Sequence, residues 1–109
     1  MAANHEEAYN TIVNTETVTE EHKAEWTHEL LGSAAAFAAM RAYNKRKEES
    51  GEEVDHSLAK ELLAGLAGGA VDNLVESKGM DWLDRHRAKK QAEEEAQKLY
   101  SEQTGYHFD

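Results

Sequence analysis

Apolar residues recur at steps of three and four along most of this chain, the spacing that lines one face of an α-helix. Residues 5–14 form a short helical segment with Ala8, Tyr9, Ile12 and Val13 on one face. A polar run follows to Thr19, which reads as an N-cap, with Glu20 and Glu21 in the first turn where they complement the helix dipole. The second predicted helix covers 20–50, its seam formed by Trp26, Leu30, Ala34, Phe37, Met40 and Tyr43, and Ser50-Gly51 stops it. The third covers 55–78, capped by Asp55 or Ser57. Its stripe is Leu58, Leu62, Gly65 with Leu66, Gly69 with Ala70, and Asn73 with Leu74, and Lys78-Gly79 ends it. The fourth covers 81–103, with Asp81 as cap and Asp84 three residues on in a variant capping box. Only Ala88, Ala92, Ala96 and Leu99 give it an apolar line. The tail, 104–109, carries Tyr106 and Phe108, which can fold back as an apolar plug.

The third helix holds the densest apolar run, yet Gly65, Gly68 and Gly69 lie inside it. A glycine in a helix interior costs about 1 kcal/mol relative to alanine. The expected offset is a close neighbour, and the alanine-rich face from Ser33 to Ala39 is the natural one. The expectation is therefore an all-α bundle within one domain, 1–109: a short N-terminal helix and three longer ones. Helices two and three form a close antiparallel pair through Leu30, Ala34, Phe37, Leu62, Gly65, Leu66 and Gly69. Asp72-Asn73 interrupts the stripe of helix three. Asn73 is expected at the seam, Asp72 at the surface, with Arg41 as a plausible partner. The thin stripe of helix four and the small-residue face suggest completion by a second chain, a homodimer.

Charge narrows the range of partners. The chain of 109 residues carries 22 acidic and 12 basic side chains, a net charge of −10. That disfavours nucleic acid and anionic membrane surfaces. The basic clusters Lys45-Arg46-Lys47 and Arg85 to Lys90 each precede acidic residues, as solvated helix faces do. There is no proline and no cysteine. Every segment is thus free to be helical, and disulfides, thiolate zinc sites and a cysteine nucleophile are excluded. The longest apolar run, Leu62 to Val71, is about half of the roughly 20 residues a membrane span needs. No basic start followed by an apolar run marks a secretion signal. A cytoplasmic setting without a membrane span is the expectation.

The strongest candidate chemistry is His22-Lys-Ala-Glu25-Trp-Thr-His28-Glu29. On one continuous helix, Glu25 and His28 would span one turn, the carboxylate–imidazole unit of di-iron bundles. Glu53 and His56 repeat the spacing. His5, with Tyr9 one turn later, could meet His22 or His28 across the bundle, and two histidines can hold a metal or a haem iron. His5, His22, Glu25 and His28 are therefore the candidate metal ligands, weighed against ordinary polar helix ends. No nucleophile motif, phosphate loop or oxyanion turn is present, so catalysis is not expected and no cofactor is required.

The residues also carry a family resemblance. His28-Glu-Leu-Leu-Gly-Ser-Ala-Ala-Ala-Phe-Ala-Ala-Met-Arg-Ala-Tyr43 and Ala59-Lys-Glu-Leu-Leu-Ala-Gly-Leu-Ala-Gly-Gly-Ala-Val-Asp72 resemble the first two motifs of the fungal CipC-like (concanamycin-induced protein C) family. Lys78-Gly-Met-Asp-Trp-Leu-Asp-Arg85 and the stretch Ala88 to Tyr100 are similar to its third and fourth, in the same order. The resemblance implies a small helical protein associated with stress or antibiotic response, and it brings no catalytic residues. The function expected is a non-enzymatic one, through self-association or a protein partner. The alternative is a bundle that binds a small ligand, metal or haem.

Overall fold

A computed structural model describes residues 2–51 and 55–108, with side chains from His5 onward. The loop positions 52–54, including Glu53 of the second Glu–His spacing, lie outside the described residues. Five helices follow in order: α1 (Ala2–Val13), α2 (Glu20–Glu25), α3 (His28–Ser50), α4 (His56–Lys78) and α5 (Arg85–Thr104). Among the described residues there is no strand. The fold is an all-α small bundle, with α3 and α4 packed closely as an antiparallel pair.

The predicted helix 20–50 is divided. Trp26 and Thr27 are extended, and the Thr27 hydroxyl accepts the Leu30 N–H, starting α3 afresh. A β-branched hydroxyl residue readily exchanges helix for such a cap. The break turns Trp26 into the core, where it is buried. The start of the last helix also moves: Asp84, not Asp81, is the N-cap, its carboxylate accepting from Arg87 N. At the end of α4 the backbone takes the left-handed turn at Gly79 (φ 62°), and Met80 N–H returns to Val75 O at 2.9 Å. This closes a Schellman motif, and Met80 and Val75 are both fully buried beside it.

α3 is the central element, packed against α1, α4 and α5. Leu31, Gly32, Ala34, Ala35, Ala36, Ala39, Met40 and Tyr43 are buried around most of its circumference. Alanine suits this position, since it has the highest helix propensity and lets three neighbours approach together. The α4 core face is Ala59, Leu63, Ala67, Val71, Leu74 and Val75, one position round from the predicted stripe. Leu62 and Leu66 are half-buried at its edge, and Leu58 is 46% exposed. α4 lies against both α3 and α5, so its buried face points between them rather than along its most apolar line.

The role expected of Gly65 and Gly69 is not the one they have. Both are exposed, and a Cβ on either would find no atom within 4 Å. The close approach is at Gly32 instead. A Cβ there would stand 2.7 Å from Gln91 Cβ and 3.2 Å from the backbone nitrogen of Ala92. α5 thus lies nearly backbone-to-backbone on α3. Asp72 is also partnered differently: Arg85 Nη1 and Lys89 Nζ each approach it at 3.1 Å. Arg41 stacks over Phe37 and Tyr9.

Two substitutions separate these roles. Gly32→Ala is expected to cost about 1–3 kcal/mol, the usual penalty for overpacking, because α5 must move. Gly65→Ala in dilute protein should stabilise by up to about 1 kcal/mol through helix propensity. Thermal and urea unfolding of both variants checks the pair.

Candidate functional site

The structure does not bring the four predicted ligands together. His22 closes the N-terminus of α2: its Nδ1 accepts the Thr19 N–H at 3.1 Å, while the Thr19 hydroxyl accepts from His22 N. Its ring stacks on Trp26 at 4.9 Å. Glu25 is exposed at the end of α2. His28 opens α3, beyond the break, so the one-turn spacing of Glu25 and His28 no longer sits on one helix. Among the described residues, no three His, Asp or Glu side chains group as a metal would need.

His5 is 5% exposed and joins α1 to α5. Its Nε2 lies 2.7 Å from Glu95 Oε1. The other carboxylate oxygen receives Gln91 Nε2 at 3.4 Å and Lys98 Nζ at 3.2 Å. Burial alone would raise the Glu95 carboxyl, but the hydrogen bonds from His5 and Lys98 outweigh it and hold the group below its ordinary value of 4.5. Sequence periodicity cannot show this pair, whose members stand 90 residues apart.

At the other end, the tail folds back as its aromatic residues predict. Tyr106 stacks on His56 at 3.7 Å, and Phe108 on Tyr100 at 5.2 Å. His56 Nδ1 and Tyr100 Oη are 2.7 Å apart, and Tyr43 meets the Tyr100 ring edge-on. Burial, then the neighbouring Tyr43, Tyr106 and Asp55, push the Tyr100 phenol up to about 12.

One open feature is a groove of about 530 Å³ running over α3 between α1 and α4. Tyr9 and Val13 of α1 form one wall, Ala38 and Ala42 of α3 the floor, and Gly65 and Gly69 of α4 the other wall. The groove is the width left between α1 and α4 over the small side chains of α3. Lys78 closes one end. Its ammonium donates to the carbonyls of Val13 at 3.1 Å and Thr15 at 2.5 Å, tying the end of α1 to α4. The small-residue pattern in the sequence pointed to these positions but to the wrong neighbour for them.

No described helix is long and apolar enough to cross a membrane. The architecture is that of a small all-α bundle whose polar clusters join helices and which carries an open groove over α3. Its family is established: residues 8–103 match the model of the virulence factor CipC-like family, and the chain belongs to it. No curated protein and no solved structure matches the chain.

Two pH tests follow from the clusters. The depressed Glu95 carboxyl contributes stability that is present above pH 4.5 and lost as pH falls through its folded value. Glu95→Gln should flatten that acid limb in urea unfolding and cost about 1–3 kcal/mol at pH 7, as loss of a charge-assisted hydrogen bond does. The raised Tyr100 phenol contributes stability fully present below pH 10.0 and lost towards about pH 12. Tyr100→Phe should remove this alkaline limb, and a tyrosinate absorbance titration should lose its latest component.

Proposed function

We propose that this chain acts without catalysis, as a helical interaction module that takes one helix into the α1–α4 groove, either by self-association or from a protein partner. The family description, virulence factor CipC-like, favours a role in a stress or virulence response, and a cytoplasmic homodimer is the simplest form of it. The single observation that carries the reading is the groove wall. Gly65 and Gly69 sit inside a helix, at a cost in propensity, and gain no contact within the monomer. A helix laid against them would meet backbone at close range and bury the apolar floor. The histidines support this reading by their engagement: His5, His22 and His56 each hold an element in place.

Gly65→Leu provides the test, because Gly65 lines the groove and a Cβ there meets nothing else in the monomer. Light scattering after size exclusion, over a range of concentrations, should show wild-type association weakened at least ten-fold by the substitution, with no fall in the melting temperature of the dilute protein. Association indifferent to Gly65→Leu would overturn the groove as the binding surface.

A further inference from the structure

Building on that interaction reading, we infer that the occupant of the groove is α4 of a second copy of this chain, packed antiparallel across a two-fold axis between Gly65 and Gly69. The outward residues of α4 form one continuous seam at steps of three and four: Leu58, Glu61, Gly65, Gly69, Asn73 and Glu76, all exposed. A helix of 23 residues is about 34 Å long, so the seam offers a full helix length. Its middle carries no side chain, which lets two such helices approach at the short end of the usual 8–10 Å range.

The two ends of the seam are complementary under this symmetry. With Gly65 opposite Gly69 of the second copy, Glu61 falls opposite Asn73, whose amide can donate to it. Leu58 falls opposite Glu76, at the end of the groove where Lys78 holds Val13. Val13 and Leu58, 40% and 46% exposed, are the large aliphatic side chains left exposed among the described residues. The antiparallel register covers each with the other, twice per dimer, as an isologous interface requires. Glu76 keeps a cationic partner in this register, since Arg85 of its own copy approaches it at 3.7 Å. A parallel pairing would instead set Glu61 on Glu61 and Glu76 on Glu76. In a chain of net charge −10, that difference selects the antiparallel arrangement.

The absence of cysteine makes the test free of background. Val13→Cys and Leu58→Cys are prepared as separate full-length proteins, mixed and mildly oxidised, with His86→Cys as an exposed control. The expected dominant product is the mixed 13–58 disulfide. It should fall at least ten-fold when both proteins also carry Gly69→Leu, with melting temperature retained. Dominant 13–13 or 58–58 products in a protein that does associate would overturn this register and leave the groove reading standing. Sedimentation as a monomer at every concentration, with cross-linking no greater than the His86→Cys control, would overturn the second copy as occupant. The groove reading would then be judged on other partners.

Discussion

The contact between Gly32 of α3 and the Gln91–Ala92 segment of α5 is the constraint on which the bundle depends. No side chain larger than hydrogen fits there without moving α5. Gln91 and Glu95 lie one turn apart on α5, so the packing that seats Gln91 against α3 also fixes where Glu95 meets His5. One missing methyl group therefore positions α5 on α3 and, through a carboxylate, α1 on α5. On its other flank α5 holds α4 through Asp72 with Arg85 and Lys89. These exposed ion pairs are individually weak, so the packing of small side chains must carry most of the cohesion between the long helices.

The residues with the most chemical character are used to join elements. His5 connects the first helix to the last, His22 starts a six-residue helix, and His56 receives the tail. Lys78 satisfies two carbonyls at and just beyond the end of α1, an arrangement that suits a cation at a helix C-terminus. Residues of this kind in a short polar chain invite a catalytic or metal-binding reading. The partners of His5, His56 and Lys78 come from distant segments, whereas His22 caps its own helix.

The sequence revealed the helices because their caps and periodicity are local. Thr19, Asp55, Gly51 and Gly79 all work where their residue types predict, and Tyr106 and Phe108 do pack back. What it hid was direction. α3 is buried around most of its girth, so its apolar pattern names no preferred face. α4 is apolar at its edges as well as its core, so its most apolar line lies one position from its buried face. The glycines showed the same ambiguity: Gly32 and Gly65 look alike in sequence, yet one is occluded and the other open. His5 with Glu95, and Asp72 with Lys89, depend on tertiary placement that no spacing encodes. The break at Trp26-Thr27 had a signal, a threonine followed three residues later by an apolar helix start. The heptad-like seam, however, runs through that threonine without interruption.

The distribution of aromatic side chains gives the molecule two separate optical reporters. Trp26 is buried beside α2, and Lys23 of the same helix stands 5.4 Å over Trp82, so both indoles belong to one end of the bundle. Tyr43, Tyr100 and Tyr106 gather with His56 and Phe108 around the C-terminal tail. Indole emission therefore follows the loosening of the α2 end, whereas three of the four phenols, all but Tyr9, follow release of the tail. Any lag between the two during unfolding would show directly whether the bundle melts as one unit or frays from a particular end.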